Sequence, residues 1–229
     1  MHHEKHFKQS NLVRDIVIGM SDGLTVPFAL AAGLSGAVHQ NSIIITAGIA
    51  EICAGSIAMG LGGYLAGQTE IEHYDSELKR EYIEIKEFYE TEKKEVREIF
   101  AEYGLSEQSQ HIIVDELAKN EHKWVDFMMR YELGLERPDR ERAKKSALNI
   151  GVAYIIGGSI PLLGYVFTKT PSVGLLVSSG ITLICLLTFG YMKSKLTEQS
   201  PLKGALKTTV IGIVAASAAF LIAHLFSIS

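Results

Sequence analysis

Residues 62–82 read GGYLAGQTEIEHYDSELKREY. The stretch starts as an apolar run and ends dense in charge, with no proline between the halves. Such a passage predicts one helix that leaves a bilayer and continues in water. The rest of the chain agrees when read outward from it. Of 229 residues, with a formal charge of −4, the apolar ones collect in long blocks toward both ends. Most of the charge lies between about Gln68 and Lys145. That profile belongs to a membrane protein with one polar insertion.

Five apolar segments are long enough to span a bilayer as helix, which takes about 20 residues. They cover residues 16–38, 42–67, 147–167, 172–192 and 206–226. Basic residues set the expected orientation. Lys5, Lys8 and Arg14 precede the first segment; Arg140, Arg142, Lys144 and Lys145 precede the third; Lys193, Lys195, Lys203 and Lys207 separate the fourth from the fifth. The opposite loops carry almost only Lys169. The N-terminus and the charged middle are therefore expected in the cytosol, and the C-terminus on the far side. The polar start, including His2, His3 and His6, has the look of a tail and not of a cleaved leader. Cys53 and Cys185 sit inside apolar blocks and make no metal or disulfide pattern.

The predicted fold is an all-α membrane protein, with five transmembrane helices and a cytosolic three-helix domain between helices two and three. The expected divisions are 1–67, 68–140 and 141–229. In the middle part, one helix is expected from about Ser42 to Tyr103, ended by Gly104; a second starts at Ser106 and runs to about Asn120; a third runs from about Glu121 to Leu133 and stops at Gly134.

Residues 81–95, EYIEIKEFYETEKKE, hold the first chemical signal. On a helix at 100° per residue, Glu81, Glu84, Glu92 and Glu95 fall within about 80° of one another. Their neighbours three residues on are Glu84, Glu87, Glu95 and Glu98, and four residues on Ile85, Phe88, Val96 and Ile99. Stacked like charges destabilise a helix, so something must offset them. Divalent cations would do so; the plainer account is a solvated acidic face. The apolar lining argues that this side packs on the other helices. Met128, Met129 and Glu132, in the third helix, would add soft sulfur to hard oxygen, a mixture suited to Fe(II)-like transition metals. Glu70-x-x-His73 has the spacing of a ferritin-like ligand pair, but such sites want two copies and the chain has one.

Two acids lie inside apolar segments: Asp22 in the first and Glu51 in the second. No Lys or Arg within these stretches pairs with them, so they mark a functional path. Met59 follows Glu51 by eight residues, roughly 12 Å along the same side of the helix. Pro27 removes a backbone bond near the middle of the first segment. Gly19-x-x-x-Gly23 and Gly63-x-x-x-Gly67 predict close helix packing without naming the partner. Five short spans give little protein to enclose a path, and a homodimer with the path at its interface would solve that.

SDGLTVPFA at 21–29, Ala50-Glu51 with MGLGGYLA at 59–66, the glutamates of the long helix and MMRYELG at 128–134 together resemble the vacuolar iron transporter family. The resemblance covers essentially the whole chain. It implies a homodimer with five membrane helices per subunit and a cytosolic three-helix metal-binding domain. It implies transport of Fe(II), and often Mn(II), out of the cytosol in exchange for protons. Asp22, Glu51 and Met59 match the family's membrane path, and Glu81, Glu84, Glu92, Glu95, Met128, Met129 and Glu132 its cytosolic ligands. The expected activity is thus that of an antiporter and not an enzyme. It needs no prosthetic group and no nucleic acid, and it sits in a vacuolar or bacterial plasma membrane. The alternatives are a membrane-tethered metal buffer or ferroxidase, and a small proton-coupled exporter of organic cations.

Overall fold

A computed structural model describes residues 11–227. His2, His3, His6, Lys5 and Lys8, which entered the sequence reading, lie outside the described residues, as does the C-terminal end. Among the described residues the chain forms eight helices and no strand: α1 (Asn11–Ser35), α2 (Asn41–Glu87), α3 (Tyr89–Glu102), α4 (Glu107–Leu117), α5 (Glu121–Tyr131), α6 (Arg142–Val166), α7 (Pro171–Leu196) and α8 (Pro201–Ser227). Five of them, α1, α2, α6, α7 and α8, are long and apolar enough to cross a membrane. They coincide with the five expected segments. The chain divides into two compact units, Met1–Tyr64 with Lys144–Ser229, and Leu65–Ala143.

In the first unit, α8 packs on α1 and α7, and α1 also packs on α7. The glycine pattern of α1 finds its partner in α6 of the same chain. A methyl group on Gly19 would lie 2.7 Å from Ala153 Cβ, and one on Gly23 would lie 3.0 Å from Tyr154 Cα and 3.1 Å from Gly158 N. Two helix backbones in such contact leave no room for a side chain. At the end toward the α6–α7 turn, Asn41 Nδ2 donates to the carbonyl oxygens of Tyr165 (3.0 Å) and Thr168 (2.8 Å). Tyr165 and Ser35 hydroxyls lie 2.8 Å apart and bridge α6 to α1.

The second unit departs from expectation at one place. The single helix expected to Tyr103 is broken at Phe88, whose φ of −121° and ψ of 34° are not helical. The chain restarts as α3, with the Phe88 carbonyl accepting from Thr91 N and Glu92 N. The unit therefore has four helical segments, the end of α2 plus α3, α4 and α5, and not three. No proline or glycine stands at the break. Ile85 precedes the break and Val96 follows it. Here both are buried in one core with Tyr74, Val114, Trp124, Val125, Met128 and Met129. Tyr89, just past the break, sets its ring edge-on to Trp124 at 5.3 Å. Burial of shared apolar surface outweighs the loss of helix continuity. Phe88, expected among the packed residues, is exposed at the bend.

The other boundaries follow local rules. Ser106 caps α4 by accepting from Ser109 N, and Asn120 caps α5 by accepting from Lys123 N at 3.1 Å. Gly104 takes a φ of 81° after α3, where Leu105 N bonds back to Phe100 O at 3.2 Å.

Candidate functional site

The break at Phe88 builds the principal constellation, which lies wholly in the second unit. Glu81 on α2, Glu92 on α3 and Glu132 at the C-terminal cap of α5 each offer a carboxylate oxygen, and these atoms lie within 4.8 Å of one another. Glu81 and Glu92 are buried, at 2% and 5% exposure, and Glu132 forms the exposed rim. Burial pushes the Glu81 carboxyl up to about 7, helped by the negative charges of Glu132, Glu92 and Glu84. Burial does the same to Glu92, also to about 7, with Glu95, Glu132 and Glu84 adding. Glu132 is raised too, by burial first and then by Glu95 and Glu84. The Arg80 guanidinium opposes the rise on all three. Glu81 Oε2 is buried with no hydrogen-bond partner among the described residues. A buried carboxylate oxygen left in this way is costly unless a proton or a cation meets it. Three acids from three helices, short of donors, fit a divalent cation with oxygen ligands.

The other expected ligands fall into two groups. Glu84 lies close enough to act on all three acids, yet its carboxylate takes the Arg80 Nε at 3.3 Å. Glu95 acts on Glu92 and Glu132 but stands outside the trio. Met128 and Met129 are fully buried in the apolar core with Trp124. His73 is exposed and 4.0 Å from Glu77, and neither it nor Glu70 joins the trio, so the Glu-x-x-His spacing assembles nothing here.

The first unit carries the acids within the apolar helices. Glu51 on α2 accepts a short hydrogen bond from the Tyr154 hydroxyl of α6. Its second oxygen, Oε2, is buried without a partner among the described residues. Gly55, one turn on, makes room for the Tyr154 ring: a methyl there would lie 2.6 Å from Tyr154 Cε1. Asp22 is exposed on α1, and Met59 is half-buried on α2. One acid escaped the sequence reading. Asp15, assigned there to the polar start before the first span, is 2% exposed inside α1. It accepts from Ser146 Oγ at 2.9 Å and from Asn149 Nδ2 at 3.3 Å. No local spacing marks it: Asp22, two helical turns further on, is exposed, and the partners of Asp15 come from α6. α6 thus supplies the polar partners of acids on both α1 and α2, a role its sequence did not announce.

The profile of the VIT family matches residues 13–224. Vacuolar iron transporter 1 of Arabidopsis thaliana is 53% identical over 222 residues, spanning 97% of this chain and 89% of the relative. Vacuolar iron transporter 1 of Oryza sativa subsp. japonica is 51% identical over 96% of this chain and 87% of its own length. Protein CCC1 of Saccharomyces cerevisiae is 38% identical over 91% of this chain and 67% of its own.

Proposed function

Because this chain belongs to the VIT family, we propose that it moves Fe(II), and Mn(II) beside it, out of the cytosol in exchange for protons, across a vacuolar membrane. The family is one of transporters, and the chain is an integral membrane protein and not an enzyme. The observation that carries the reading is the convergence of Glu81, Glu92 and Glu132 around an unpartnered buried carboxylate oxygen.

In this reading the second unit faces the cytosol. Its three glutamates gather the ion, with Glu84 and Glu95 as further oxygen donors and Met128 and Met129 as soft ones. Asp22, Glu51 and Met59 then take the ion through the membrane. A carboxylate holds either a proton or a share of a divalent ion, so protonation from the acidic side releases the metal. Glu51 suits this exchange: one oxygen is fixed by Tyr154, and the other is free for the ion or the proton. Asp22 supports a homodimer, because an acid exposed on a membrane span is costly against lipid and a second copy packed on α1 would shelter it.

Fe(II) uptake into proteoliposomes with an acidic lumen, under anaerobic conditions, tests the proposal. The expected result is flux that needs the pH gradient and vanishes in Asp22→Asn with Glu51→Gln. Metal bound without flux under any gradient would leave a membrane-tethered buffer instead.

A further inference from the structure

We infer that Arg80 is a resident counter-cation of the acid cluster, holding Glu84 until an incoming metal ion takes that carboxylate over. The inference rests on reading Glu81, Glu92 and Glu132 as the metal-gathering site. Arg80 immediately precedes Glu81 and reaches both ways along α2. Its Nη1 lies 3.2 Å from Glu77 Oε2, and its Nε lies 3.3 and 3.4 Å from the two oxygens of Glu84. These are neighbours three and four residues away on one helix, so the pairs form whether or not α3 and α5 have closed over them. Glu84 is the one acid that acts on Glu81, Glu92 and Glu132 alike while its own carboxylate is committed elsewhere.

The chemistry of the pair favours exchange. The Arg80 side chain is 59% exposed and that of Glu84 is 30% exposed, and an ion pair so wet is weak and screened by salt. It offsets part of the repulsion among the acids when no metal is present. It yields to a divalent ion, which brings twice the charge to the same oxygens. Arg80 thereby lowers metal affinity without touching the metal. A site that must hand its ion onward gains from that, since an ion held too tightly is not released. Arg80 is in this sense a positioning residue: its direct charge on the three acids comes last among the causes acting on each, and its main contact is with Glu84.

Mn(II) binding to the full-length protein in detergent at pH 7.5, followed by the loss of the free-ion electron paramagnetic resonance signal, tests the inference. Arg80→Gln is expected to tighten binding about fivefold, the worth of an exposed ion pair. Arg80→Lys restores affinity toward wild type. In a Glu84→Gln background, Arg80→Gln changes affinity less than twofold, and Lys79→Gln, which removes the same charge one residue away, does likewise in the wild type. Unchanged or weaker binding in Arg80→Gln, or equal tightening with and without Glu84, overturns the inference. Binding that survives Glu81→Gln with Glu92→Gln unaltered overturns the metal-site reading itself, whatever Arg80 does.

Discussion

Glu81 and Glu92 stand on two different helices, and their carboxylate oxygens meet within 4.8 Å, together with that of Glu132. On an unbroken helix the same two residues would share a face but lie about 16 Å apart along it. The bend at Phe88 turns a stripe of acids into a cage.

Protons and metal ions compete for that cage. Glu81 and Glu92 are both pushed up to about 7 from the ordinary glutamate value of 4.5, by burial first and then by the negative charges of neighbouring glutamates. Metal binding must displace these protons below pH 7. Apparent Mn(II) affinity is expected to fall between pH 7.5 and 5.5, about tenfold per pH unit for each proton displaced. Isothermal titration across that range measures it, and a flat profile would contradict protonation of the buried Glu81 and Glu92.

The same shifts act on stability with a definite sign. A carboxyl raised in the folded protein stabilises it fully below the unfolded value of 4.5, and this is lost as pH climbs through about 7. The metal-free protein should therefore melt at lower temperature at pH 7.5 than at pH 5, through these two groups. Glu81→Gln should raise metal-free stability at pH 7.5, by on the order of 1–3 kcal/mol, and abolish the further stabilisation that Mn(II) gives the wild type. Thermal melts with and without Mn(II) read both effects.

Tyr154→Phe removes the hydrogen bond to Glu51 and leaves that carboxylate without the partner on either oxygen that the structure shows. An unsatisfied buried polar group costs about 1–3 kcal/mol. Proteoliposome flux should drop while Mn(II) affinity at the glutamate cage stays as in wild type. A joint loss of flux and affinity would mean that the whole protein, and not the membrane step, had been damaged.

Gly23→Ala forces a methyl between α1 and α6, where Tyr154 Cα is 3.0 Å away and Gly158 N is 3.1 Å away. Backbone atoms cannot step aside as a flexible side chain can, so overpacking should cost about 1–3 kcal/mol. Gly62→Ala, at a helical glycine with open space around it, is the control and should melt no lower than the wild type, since alanine favours the helix.

The membrane spans, the acids within them and the acidic stripe were legible in the sequence because each rests on local rules. Twenty apolar residues in a row have one use, and Asp22 or Glu51 in such a run is conspicuous by its cost alone. Asp15 was not legible as a buried acid, because what buries it comes from Ser146 and Asn149, far along the chain. The pairing of Glu84 with Arg80 follows a local i,i+4 spacing, but which of the four similar acids would join Glu132 was not legible, since sequence does not rank them. The break at Phe88 had no proline or glycine to announce it. Ile85 before the bend and Val96 after it enter one core, which is closed by Trp124 and Met128 from α5, far along the chain. Sequence by itself determined what the helices are made of and which residues carry charge. The tertiary structure decided which charges meet, because convergence depends on long-range burial that no local spacing encodes.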